Sequence, residues 1–132
     1  MDDVNYTWRD RVEGARASGL LALELFIVFS DPAKGRAAVL DHLKIHIEYQ
    51  RELERNGILF AAGPLSDETG QEWTGKGMII LRASSIEEAR KIADADPMHR
   101  DKVRSYRIVP WLMNEGSFTL QFSLAAQRVT LA

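Results

Sequence analysis

A change of hydrophobic period at Ser30-Asp31-Pro32 constrains this chain more than any other feature. Before it, in LLALELFIVFS (residues 20–30), Leu21, Leu23, Leu25, Ile27 and Phe29 fall on every second position, the repeat of a strand. After it, from about Lys34 to Asn56, apolar residues recur at helical spacing, and Gly57 stands where a helix C-terminus takes glycine. The run ILFAAGPL predicts a second strand, closed by Gly63-Pro64 and the polar loop SDETGQEWTGKG. GMIILRA predicts a third. Ser84 or Ser85 caps a second helix, SIEEARKIADA, whose Glu87 and Glu88 favour the positive end of the helix dipole. That helix stops by Asp96, because a residue before proline avoids the helical region. SYRIVPWLM predicts a fourth strand, and its internal proline predicts an edge or a bulge.

The order βαββαβ between Leu20 and Asn114 predicts an α+β domain of the ferredoxin-like kind, an antiparallel sheet with both helices on one face. The opposite face is left open. Because the first strand carries Phe26 and Val28 on its second side, that face is expected to be covered by a second copy packing sheet to sheet. Residues 1–19 form an N-terminal extension, either a helix YTWRDRVEGARA stopped by Gly19 or a loosely attached head. Residues 115–132 form a C-terminal extension in which Phe118, Leu120, Phe122 and Leu124 alternate with polar residues as a half-buried fifth strand. An unpaired strand of this kind would aggregate, so pairing with its own sheet or a partner's is expected.

Composition excludes more than it names. The chain has no cysteine, which rules out disulfides, thiolate catalysis and cysteine-ligated metals. A net charge of -2 on a mixed-sign surface gives no basis for nucleic acid or membrane as a partner. The longest apolar run, GLLALELFIVF, is interrupted by Glu24 and is too short to span a bilayer. The polar, acidic start lacks the basic-then-apolar order of a secretory signal, and a cytoplasmic location is the expectation.

The segment LDHLKIHIEYQ carries the chemistry. At about 100° per residue, Val39, Leu43, His46, Gln50 and Leu53 line one side of the helix, while Asp41, Lys44, Glu48, Glu52 and Arg55 gather on the other. His46 thus sits in the buried stripe and His42 on its flank. Three roles are open to His46: a hydrogen-bonded core residue, a general base, or half of a metal pair with His42. The metal role is weakened because Leu43, not glutamate, follows His42, and only Asp96 or His99 suggests itself as a third ligand. The segment ADADPMHRDK gives Asp96 two roles: a helix stop before Pro97, or a carboxylate that orients His46 when the two helices lie side by side.

HIEYQRELERNGILFAAGPL, GKGMIILRASSIEEARKIADADP and YRIVPW, taken in that order, resemble the YCII-related proteins over about residues 20–112. The resemblance implies a ferredoxin-like dimeric α+β barrel related to the muconolactone isomerases, with an active-site dyad falling on His46 and Asp96. It also implies isomerisation, dehydrohalogenation or oxygenation of a small, often aromatic or lactone, molecule without a bound cofactor. The expected function is therefore proton transfer on a small-molecule substrate by a homodimer or higher homo-oligomer, with no metal. Phe60, Gly63, Pro64 and Trp111 are candidate substrate contacts, with Trp73 and Tyr106 as further apolar walls and Arg100 or Arg107 as a hold for a carboxylate. The alternative is a non-catalytic small-molecule-binding or dimeric interaction module with the same cavity. Such a module has no need of a carboxylate-oriented imidazole.

Overall fold

The computed structural model describes residues 6–131; residues 1–5 of the N-terminal extension and Ala132 lie outside the described residues. The elements in chain order are α1 (Trp8–Ala17), β1 (Leu23–Pro32), α2 (Arg36–Arg55), β2 (Leu59–Pro64), β3 (Gly77–Leu81), α3 (Ile86–Ala95), α4 (Pro97–Arg100), β4 (Arg104–Met113), β5 (Leu120–Ser123) and β6 (Arg128–Leu131). Four strands form an antiparallel sheet in the order β2-β3-β1-β4, with α2 and α3 packed on one face, a ferredoxin-like α+β arrangement. The order makes β4 an edge strand, and an edge tolerates the missing amide of Pro110.

The chain divides into two compact units. One spans Glu24–Trp111. The other joins the two ends of the chain, up to Leu23 and from Leu112 onward. In the first unit, Val28 of β1 and Leu81 of β3 meet Leu53 of α2 and Ala93 of α3, with Tyr49, Ile79, Tyr106 and Ile108 packed around them. The face of β1 that meets the helices is therefore Phe26, Val28 and Ser30, not the Leu23, Leu25, Ile27 and Phe29 set. Both sides of this strand are apolar, so alternation alone does not say which one the helices take. The far face is also not bare: Leu25 is fully buried, and Ile80, directly opposite Ile27, is 6% exposed.

Helix boundaries follow local chemistry. Gly57, at φ 72°, ends α2 in a conformation that side-chain-bearing residues adopt at a cost. Of the two candidate caps for α3, Ser85 is the one whose side chain accepts from Glu88 N. The 20 residues of α2 form the longest helix, and no helix among the described residues is long and apolar enough to cross a membrane.

In the unit formed by the chain ends, α1 is capped reciprocally by Thr7 and Asp10. Val12, Ala15, Ala22 and Leu112 form its small core, and the Ala22 amide donates to Asn114 Oδ1 at 3.2 Å. The tail strand pairs within the tail. β5 and β6 make a two-stranded antiparallel sheet that sets Leu120 opposite Leu131 and Phe122 opposite Val129. Phe122 is 67% exposed, so the expected half-burial is absent there.

Candidate active site

The site begins with the Asp96-Pro97 step. Proline holds Asp96 at φ −59°, ψ 125°, outside the helical region, so α3 ends and the chain restarts as α4. Asp96 caps that restart, its Oδ1 accepting from the Met98 amide at 2.9 Å. The same carboxylate meets His46, whose Nδ1 lies 2.8 Å from Oδ2 and 3.0 Å from Oδ1. The Asp96 side chain is 4% exposed and the His46 side chain 16%. An ionised carboxylate can only accept, so Nδ1 carries a proton, and the neutral form of the ring has its lone pair on Nε2. Nε2 has no hydrogen-bond partner among the described residues.

His46 lines a cavity of about 320 Å³ between α2, the ends of β2 and β3, and the loop joining those strands. Gly63, Pro64 and Trp73 contribute wall, as do Leu43 and Ile47 of α2. The loop is fixed by Asp67, whose Oδ1 accepts from the Thr69 hydroxyl at 2.6 Å and the Thr69 amide at 3.1 Å. These bonds, the hydroxyl first, hold the Asp67 carboxyl below its usual range. Further along, the Trp73 indole donates to the Lys76 carbonyl at 2.8 Å. Gly75, at φ 92°, passes so close to Pro32 that a Cβ there would sit 2.9 Å from its ring, so only glycine fits this approach.

A second polar chain runs beside the first. Arg104 Nε donates to Ser30 Oγ at 2.8 Å, which leaves the Ser30 hydroxyl hydrogen for His99 Nε2, also at 2.8 Å. His99 Nδ1 in turn donates to the Ala93 carbonyl at 2.8 Å. One direction of donation satisfies the Ser30 hydroxyl and both ring nitrogens of His99. Burial is the main reason the His99 imidazole lies below its ordinary value of 6.5, opposed by the Ala93 carbonyl and by Asp96. Its ring packs on Tyr106 with centroids 4.7 Å apart. Burial, and then the Asp94 carboxylate that accepts from its hydroxyl, push the Tyr106 phenol up to about 12. Tyr49 ties α2 to α3 by donating to the Ile92 carbonyl at 2.6 Å.

Of the residues singled out from sequence, His46, Asp96, Gly63, Pro64 and Trp73 come together here. Phe60 and Trp111 are placed elsewhere. β2 is irregular between Leu59 and Ala61, and Phe60, at that irregularity, lies under the Arg82 guanidinium, 4.9 Å away. Trp111 shares the alternate face of β4 with Arg107 and Val109, opposite the side that carries Arg104, Tyr106 and Ile108. Neither expected arginine reaches the cavity: Arg100 pairs with Asp101 at 3.0 Å, and Arg107 stacks over Phe29 at 4.2 Å. His42 donates to the Ala38 carbonyl at 2.9 Å and meets Asp101 at 3.0 Å, apart from the His46 contact.

Ser30 and Arg104 were not read as site residues from sequence, and His99 only as a possible third metal ligand. The signal for Ser30 was a hydroxyl on the side of β1 shared by Phe26 and Val28. For Arg104 it was a cation in the inward register of Tyr106 and Ile108, one residue before the expected start of the strand.

Fold and lining together define a ferredoxin-like α+β domain with an imidazole-carboxylate pair at the wall of a small cavity. The chain belongs to the YCII-related domain family, whose model matches residues 25–112. A similar solved structure is 5-chloro-2-hydroxyhydroquinone dehydrochlorinase (TftG) from Burkholderia phenoliruptrix AC1100, in complex with 2,5-dihydroxybenzoquinone. The likeness has a TM-score of 0.55 and covers 66% of this chain and 92% of that one at 21% identity, so it is a likeness of fold. No curated protein matches the sequence.

Proposed function

We propose that the chain is an enzyme that transfers a proton on a small organic molecule, with His46 as general base and Asp96 as the residue that orients it. The observation that carries this reading is the buried Asp96 carboxylate on Nδ1 of a histidine that lines the cavity, which leaves the lone pair of Nε2 without a protein partner. In a dehydrohalogenation, Nε2 takes the proton from a C–H or O–H bond. The electrons left behind form a new π bond, and the halide departs with its bonding pair. In an isomerisation, the same imidazolium returns the proton to another atom of the substrate. Asp96 stabilises the imidazolium in either case by accepting from its other nitrogen. The cavity suits a single-ring substrate, since sites for small molecules start at about 300 Å³. The fold shared with a dehydrochlorinase supports a ring carrying hydroxyl and halide groups.

The test is halide release from 5-chloro-2-hydroxyhydroquinone, together with deuterium uptake from heavy water by a panel of lactones and hydroxylated rings. Turnover of one of these by the wild type and its loss in His46→Ala is the expected result. Turnover that survives His46→Ala would overturn the assignment. The reading also includes a homodimer. Leu40, Leu43 and Ile47 share one side of α2 and are all exposed, a stripe that a second copy would bury. Sedimentation at micromolar concentration should show a dimer, and a folded monomer would contradict it.

A further inference from the structure

The cavity has a marked charge bias. Among the described residues, Arg104 and Lys76 line it and no aspartate or glutamate does, in a chain whose net charge is -2. Arg104 is also held as a binding group would be. Its Nε donates to Ser30 Oγ, and Nη2 donates to the Ser30 carbonyl at 2.8 Å and to the Gly75 carbonyl. Those three bonds fix the guanidinium plane between β1 and the loop ahead of β3. They use the Nε hydrogen and both Nη2 hydrogens, leaving both Nη1 hydrogens without a partner among the described residues. No carboxylate lies within ion-pair distance of this half-buried cation among the described residues. Burial accordingly lowers its pKa, against the more distant pull of Asp31 and Asp96. An arginine stays charged even so.

Arg104 is half-buried, and its unpartnered Nη1 is not a buried atom, so that edge stays open to solvent and to a ligand. Here the protein supplies three neutral acceptors and stops. Ser30 is itself locked, since its hydroxyl hydrogen goes to His99 Nε2, and so cannot turn away from Arg104. The guanidinium is thus preorganised with one edge unsatisfied at the wall of the cavity that His46 also lines.

We infer that Arg104 is the anion-holding residue of this cavity, and that its substrate is a small organic anion carrying a carboxylate or an ionised ring hydroxyl. The inference deepens the proton-transfer reading and rests on it for the word substrate. Arg104 would hold the anionic oxygen while Nε2 of His46 takes the proton elsewhere on the same molecule. Charge that builds on that oxygen as the proton leaves would be met by the same guanidinium.

Benzoate and benzamide, alike in shape and unlike in charge, test this by titration with ligand-observed NMR at millimolar concentration. The wild type is expected to favour benzoate by about tenfold or more, the worth of one charge-assisted hydrogen bond. Arg104→Met should bring benzoate down to the level of benzamide, whereas Arg104→Lys should keep part of the preference. Because Arg104→Met also removes three native bonds, the wild type supplies an independent reading: benzoate should shift the Arg104 Nε–H resonance and benzamide should not. Equal binding of the two probes, no binding of benzoate, a preference that survives Arg104→Met, or benzoate shifts that bypass Arg104 would each overturn the inference. The readout is binding, not turnover. Turnover that survives His46→Ala would therefore refute the base and leave the anion site standing, and a lost anion preference would do the reverse.

Discussion

Two histidines of α2, one turn apart, each meet an aspartate, and the two aspartates stand at opposite ends of the four-residue α4. His46 meets Asp96 at the N-cap, and His42 meets Asp101 at the C-cap. The distances hardly differ, at 2.8 and 3.0 Å. What differs is everything around them. The Asp96 side chain is 4% exposed and the Asp101 side chain 40%. His42 has both nitrogens engaged, Nδ1 with its own helix and Nε2 with Asp101. His46 has one engaged and one available, and it lines the cavity. A His-Asp contact alone is therefore a poor sign of chemistry. A buried carboxylate, one ring nitrogen without a protein partner and a wall shared with a cavity together are a better one.

The sharpest way to break this contrast is substitution of the two histidines in turn. His46→Ala is expected to lower kcat/KM by about 10²–10⁴-fold, the usual worth of a general base, while His42→Ala leaves turnover near wild type. Equal losses would erase the distinction. A smaller effect, about 10²-fold, is expected for Asp96→Asn, because an amide can present either a donor or an acceptor to Nδ1 and no longer fixes the tautomer. Its melting temperature should also fall, since the variant disturbs the contact to His46 and the cap on Met98 N. Asp101→Asn should spare turnover.

Below these in size is a pH effect from the neighbouring chain. His99 titrates below its ordinary 6.5 in the folded protein, with burial the first cause, so the unfolded chain binds the extra proton first as pH falls. Its contribution is fully present above about pH 6.5 and is lost on acidification, at no more than about 1.4 kcal/mol per pH unit. Chemical denaturation at a series of pH values should show a shallower acid-side slope for His99→Gln than for the wild type. An unchanged slope would contradict the neutral, Nδ1-protonated imidazole drawn here. Smallest of all is Asp101→Ala, an exposed change expected to leave the melting temperature where it was.

Much of this was legible in the sequence because it is written in local chemistry. The change of period at Ser30-Asp31-Pro32, Gly57 after α2 and Pro97 after Asp96 each act on the backbone beside them, and each marks a boundary found in the structure. The phase of His46 was legible because α2 is long enough for its stripe to be read, although the stripe is buried only at Leu53, and Leu43 within it is exposed. Three things were not. Both faces of β1 are apolar, so nothing local said that Val28 and Ser30, not Ile27 and Phe29, would meet the helices. The hairpin of the tail turns through Leu124–Gln127, where Gln127 takes φ 50° without a glycine or asparagine to announce it. Arg104 gains its meaning from Ser30 and Gly75, which are distant in sequence, and no pattern around position 104 encodes them.

The most direct test of the account is the protonation pattern of the His46 ring, read from long-range ¹H–¹⁵N correlations of the imidazoles in the wild type at neutral pH. The arrangement of Asp96 on Nδ1 predicts that the neutral form of the His46 ring carries its proton on Nδ1 and leaves a bare, pyridine-like Nε2. A His46 ring that carries its proton on Nε2, the tautomer with no base to offer the cavity, would contradict it.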